Sequence, residues 1–210
     1  IFGMAKKSFL RSFLEDLSWL PLATSCLLFA LLGFVLVRWD ADDTHYLSNA
    51  IHLLSHPDTN MGFEAYYIYV EGPPFQAISW INSYAIEYLI ASFAHVLKVD
   101  FLSINWTGKT ILAAYLIPCA WYTLLSQFEL RHDSILVAIC STLLVVLIMG
   151  DTFNSYGNWF ITRLFQGKVI VVALGLPLIW SHVISYLKSP NIRDWAGMLV
   201  ISSAMIGFST

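Results

Sequence analysis

The sequence predicts an all-α fold, a polytopic transmembrane helical bundle with an amphipathic helix in its first extracytoplasmic loop. Three observations predict it. Hydrophobic residues make up 58% of the chain and charged residues only 12%, with a mean hydropathy of +0.67; a soluble domain holds about 45–50% apolar and about 25% charged residues. Long stretches such as Leu17–Val37 and Val169–Leu187 contain no Asp, Glu, Lys or Arg. At about 1.5 Å per residue each covers roughly 30 Å, the thickness of a bilayer core. The polar residues are gathered between such stretches, where a membrane would leave the chain in water.

The first span is Leu17–Val37, preceded by Lys6, Lys7 and Arg11. Basic residues on that side favour a cytoplasmic N-terminus. The run is too long for a signal peptide, and no small-residue cleavage site follows it. The chain starts at Ile1 and ends at Thr210 just after an apolar run, so a piece of a longer polytopic protein is expected, read as one membrane domain over 1–210.

The longest polar stretch, 38–74, is the first extracytoplasmic loop under this orientation. Asp43 or Thr44 can cap a helix in it whose apolar stripe is Tyr46, Leu47, Ala50, Ile51 and Leu54. Pro57 and Asp58 end that helix. Gly72-Pro73-Pro74 then breaks the chain. Further helices are predicted over Phe75–Leu97, Ile104–Phe128, Ser134–Met149 and Val169–Leu187, and another begins near Trp195. The segment Asp151–Lys168 between them is polar and aromatic. Its side of the membrane depends on whether Phe75–Leu97 crosses or only dips. Lys98, Arg163 and Lys168 argue for one parity, Arg131 and Lys188 for the other.

Composition also narrows the function classes. The net charge of −3 and the lack of a basic run exclude a nucleic-acid surface. Cys26, Cys119 and Cys140 lie in apolar runs without a CxxC pair, and they read as small core residues.

Five groups of residues could carry chemistry. Arg38-Trp39-Asp40-Ala41-Asp42-Asp43 places three carboxylates where the first span leaves the membrane. One of Asp40, Asp42 and Asp43 can serve as a general base on a hydroxyl, and others can hold a divalent cation through oxygen ligands. The plainer alternative is a solvated acidic turn capping the next helix. Glu71, before the proline pair, could complete that site or ligate a metal with Asp42. His52 and His56 form a second possible ligand pair, four residues apart. Arg163-Leu164-Phe165-Gln166-Gly167-Lys168 suits a phosphate, because two cations flank a glycine that lets backbone approach. Flanking charge before a span is its plainer alternative. Glu87 sits inside an apolar helix, where a charge costs about 2.5–3.5 kcal/mol on insertion scales, so it should face protein, water or a partner. The sequon at Asn105 hugs a membrane helix and is discounted.

The order of these features resembles the N-terminal module of the GT-C glycosyltransferases, polytopic enzymes that use lipid-phosphate-linked sugars. A span ends in an acidic motif, an outer loop carries an interfacial helix, and an acid precedes a double proline. More narrowly, Asp40-Ala41-Asp42-Asp43 followed by Tyr46, with Arg163 and Gln166-Gly167-Lys168, looks like an uncharacterised family of bacterial multi-spanning proteins that is itself thought to be GT-C-like. The resemblance implies an inverting glycosyltransferase of the plasma (inner) membrane that acts on the cell envelope. Its donor would be a polyprenyl-phosphate sugar and its acceptor a glycan or protein. Asp40, Asp42 or Asp43 would be catalytic. Arg163, Gln166 and Lys168 would bind the lipid phosphate, and Glu71 with Asp42 would hold Mg or Mn. Two other readings stay open. A transporter or channel subunit would use Glu87 and His95 as an ion path. A scaffold subunit would sit among other membrane subunits of an envelope assembly.

Overall fold

A computed structural model of the chain describes residues 19–36, 51, 54, 85–149 and 158–209. Of these, 87% are helical and no strand occurs among them. The α-helices are α1 (Leu20–Val35), α2 (Ala85–Leu97), α3 (Lys109–Ser126), α4 (His132–Met149), α5 (Gly167–Ile170), α6 (Leu176–Lys188) and α7 (Ile192–Ser209). Wider π-helical turns at Ser103–Gly108 and Val171–Gly175 make 101–126 and 167–188 continuously helical. The expected helix 44–56 lies outside the described residues except at Ile51 and Leu54, both helical.

Local chemistry accounts for the boundaries. Pro21 stands in the first turn of α1, where a missing N–H leaves no bond unmade, whereas Pro177 lies inside the 167–188 helix, directly after the wider turn Val171–Gly175. Asp100 caps the run from 101, accepting the Ser103 N–H at 2.8 Å and its hydroxyl at 3.0 Å. Asn191 caps α7 by accepting the Asp194 N–H at 2.9 Å, while the Asp194 carboxylate accepts from the Asn191 amide. α7 therefore starts at Ile192, ahead of the expected start near Trp195.

α1 and α3 run antiparallel along a seam of small residues. Trp19 stacks on Tyr122 with centroids 5.5 Å apart. Further along, the Cys26 and Cys119 sulfurs lie 3.5 Å apart. At the far end a Cβ on Gly33 would stand 2.7 Å from the Ala114 Cβ. Cys26 is buried as a small core residue, whereas Cys140 is exposed, although its sulfur lies 3.7 Å from the Ser25 hydroxyl. The core joins α1, α3, α4 and 160–174 through Phe29, Ile117, Ile135, Leu143, Phe160 and Ala173.

The helix ends sort onto two faces. On one lie Trp19, the 127–131 turn and the 189–191 turn. Trp19 stacks on His132 there, and the Lys188 ammonium donates to the Gln127 carbonyl. On the other lie the ends of α1, α4 and α7 and the starts of α3 and α5. Gly167 abuts the Phe208 backbone so closely that an added Cβ would collide with the carbonyl.

Among the described residues two helical stretches, His132–Met149 and Gly167–Lys188, are long and apolar enough to cross a membrane; only 28% and 33% of their most apolar 18 residues are buried. Core helices of a soluble fold would be mostly enclosed. Here Val137, Leu144, Ile148, Trp180 and Leu187 point outward instead.

Candidate functional site

Buried polar side chains cluster at the face where α1 ends. The helix 101–126 supplies Asn105, Lys109 and Thr110. Asn105 and Thr110 are 3% and 1% exposed. Lys109 Nζ stands 4.0 Å from Glu87 Oε1, and both side chains are about nine-tenths enclosed. That pairing explains Glu87, because a carboxylate in an apolar helix persists when a cation answers it. The Asn105 Oδ1 and Thr110 Oγ1 atoms are buried without a hydrogen-bond partner among the described residues.

The second supplier is the segment between α4 and α5. Its π-helical turn Asn158–Thr162 inserts among the helices, and Phe160 packs on Trp121 at 6.1 Å. The chain then climbs until Phe165 meets Trp106 at 6.2 Å, beside the Asn105–Lys109 turn. Arg163 lies between these two anchors at 1% exposure, and Gln166 is 8% exposed. Arg163 is among the largest fully buried side chains of the described residues. A buried guanidinium presents a rigid fork of donors suited to a carboxylate or phosphate.

The structure thus brings Arg163 and Gln166 into the interior and leaves Lys168 exposed at the start of α5. Gly167 does not leave its backbone open for a ligand, since Phe208 fills the space where a Cβ would stand. Its lack of a side chain serves close packing of α5 against α7. Asp40, Asp42, Asp43, Glu71, His52 and His56 lie outside the described residues. Among the described residues no group of three or more His, Cys, Asp or Glu could hold a metal. His95 is exposed in the last turn of α2, two turns from buried Glu87. Asn105 is enclosed, in keeping with discounting its sequon.

Sequence reasoning missed Lys109. The criterion that flagged Glu87 also applies to this lysine, which opens a long apolar helix. It also missed a cluster at the opposite face. There Asp194 accepts hydrogen bonds from the Ser185 hydroxyl at 2.6 Å and from Asn191, and lies 2.8 Å from His182 Nδ1. These bonds, Ser185 first, hold the Asp194 carboxyl down at about 2. Ser185 donates to the aspartate rather than to His182, so this is a hairpin clasp and not a nucleophile with its base.

Compared with models of known families, with curated proteins and with solved structures, the chain has no match.

Proposed function

We propose that the chain is the catalytic membrane module of a GT-C-type glycosyltransferase that takes sugar from a polyprenyl phosphate for envelope glycan transfer. The observation that carries this reading is the shared face. α1 ends where Lys109, Arg163 and Gln166 are gathered. Asp40 follows Leu36 by four residues, a reach of at most about 14 Å. The acidic motif thus follows in sequence on the end of α1 beside which the buried cations lie, a juxtaposition that transfer from a lipid phosphate would use.

The face distribution of charge supports an orientation. Lys6, Lys7 and Arg11 precede α1, and Arg131, Lys188 and Arg193 sit at the turns on the same face. The positive-inside rule makes that face cytoplasmic. The acidic motif and the segment 151–168 then both belong to the outer face. α1, α3, α4, the 167–188 helix and α7 from Trp195 onward serve as the crossings, and their outward apolar side chains meet lipid.

In the mechanism an aspartate of 40–43 takes the proton of the acceptor hydroxyl as its oxygen attacks the anomeric carbon. The bond to the lipid phosphate breaks, and its electron pair leaves on the phosphate oxygen. That anion needs positive charge, which Arg163, helped by Gln166 and Lys168, supplies. A divalent cation, Mg or Mn, on Glu71 and Asp42 would add Lewis-acid stabilisation.

The test is release of polyprenyl phosphate from radiolabelled polyprenyl-phosphate hexoses by membranes carrying the full chain. One of Asp40→Asn, Asp42→Asn and Asp43→Asn should lower release by about 10²–10⁴-fold. Full activity in all three, with Arg163→Gln also active, would overturn the reading. The paired, enclosed state of Glu87 and the exposed position of His95 lend the transport alternative no support.

A further inference from the structure

The hairpin made by α2 and the returning helix from Phe101 supplies no group to the transfer step proposed above. Its base is pinned by Glu87 and Lys109, both at the face where α1 ends. Its inner side is closed by Ile90, Ala91 and Ala94 against Phe101. Its tip is a tight turn in which Lys98 adopts a left-handed φ of 54° and Asp100 caps the next helix. Helix 101–126 runs without a break, so Phe101 lies on the far side of Lys109 from Ser126. The tip therefore points away from the bundle, about 10 Å beyond Lys109 at helical rise. Lys109–Ser126 alone, at about 27 Å, already matches a hydrocarbon core.

The hairpin's outer side remains apolar: Leu89, Phe93, Val96 and Leu97 are 52%, 55%, 75% and 62% exposed. Their spacing forms one stripe at helical period. Exposed apolar side chains resume on the returning helix past Lys109, at Leu112 and Leu116. We infer that Ala85–Gly108 is an interfacial hairpin whose stripe lies in the headgroup and acyl boundary of the outer leaflet, and that α2 does not cross the membrane. A face of this kind is covered by lipid when it is continuous with a lipid-facing span and sits just outside the hydrocarbon. The inference rests on the membrane orientation proposed above, and it deepens it by naming the surface on which a lipid-borne donor would approach.

Single cysteines at Lys98, Lys168 and Ser126 test it, in intact cells treated with a membrane-impermeant maleimide and with the parent chain as blank. We expect Lys98→Cys and Lys168→Cys to label from outside and Ser126→Cys to label only after permeabilisation. If Lys98→Cys instead labels with Ser126→Cys while Lys168→Cys stays opposite, α2 crosses and the hairpin is wrong, with the membrane orientation intact. If Lys168→Cys and Ser126→Cys label from the same side, the orientation itself fails and takes the hairpin with it. A bimane on Phe93→Cys, in phosphatidylcholine vesicles, should lose emission to a nitroxide near the headgroup more than to one at the bilayer centre. Quenching by neither, with full quenching by aqueous iodide, would remove lipid as the occupant and leave a protein partner.

Discussion

Arg163 and the Glu87–Lys109 pair carry the most consequence per residue. All three are charged groups buried in the fold, where losing one partner of a pair costs more than losing both. Lys109→Met should destabilise the protein by about 3–5 kcal/mol, because the Glu87 carboxylate is left enclosed. Adding Glu87→Gln should recover most of that loss, which denaturant titration in detergent would read as a strongly coupled double-mutant cycle. Arg163→Met keeps volume and removes charge. It should depress transfer by about 10²–10³-fold while the protein still folds, as measured by turnover beside thermal unfolding. Asp194 carries a pH prediction. Its carboxyl is lowered from an ordinary 3.8 to about 2 by Ser185, His182 and Asn191. A lowered value means the contribution is complete above pH 4 and fades as pH falls through 2. Hydrogen exchange at the first turn of α7 should therefore quicken over that window, and Asp194→Asn should flatten the dependence.

At the scale of elements, small residues decide how closely the helices approach. Gly33 lets α1 meet α3 so tightly that a single methyl would overlap Ala114. Gly33→Ala should cost about 1–3 kcal/mol through forced separation, and Ala114→Gly in the same chain should restore it. Equal stability of the single and double variants would show that the seam tolerates the methyl. Gly197 plays the same part beneath the His182 ring, and Gly175 beneath Met205. Gly167 shows how this escapes a sequence reading. Beside two cations it suggests a phosphate cradle. In the fold its bare face is taken by the end of α7, because a tightly abutting helix and an approaching ligand require the same missing Cβ.

At the scale of the whole molecule, the outward apolar side chains of α1, α3, α4 and the 167–188 helix predict that the chain stays with membranes after alkaline carbonate washing. Release into the supernatant would contradict the proposed crossings. The helices themselves were legible in composition and period: α1, α3, α4 and the 167–188 helix fall within a few residues of the apolar runs that announce them. Boundaries set by side-chain caps, such as Asn191 and Asp100, were legible in principle, since the capping residue stands in the sequence. The expected interfacial helix and the acidic motif rest on residues outside those described. The composite nature of the polar cluster was not legible. Asn105, Glu87 and Arg163 are far apart in the chain, and nothing in their spacing announces that an inserted segment and a helical hairpin carry them to one face. Which segments are apolar helices can be read from the chain alone, because hydropathy and period are local properties. That α1 and α3 are antiparallel, and with that which turns share a face, emerges from the packed fold. Chain direction in a bundle is set by packing between distant helices, here a glycine against an alanine and two sulfurs in contact, and no local pattern encodes it.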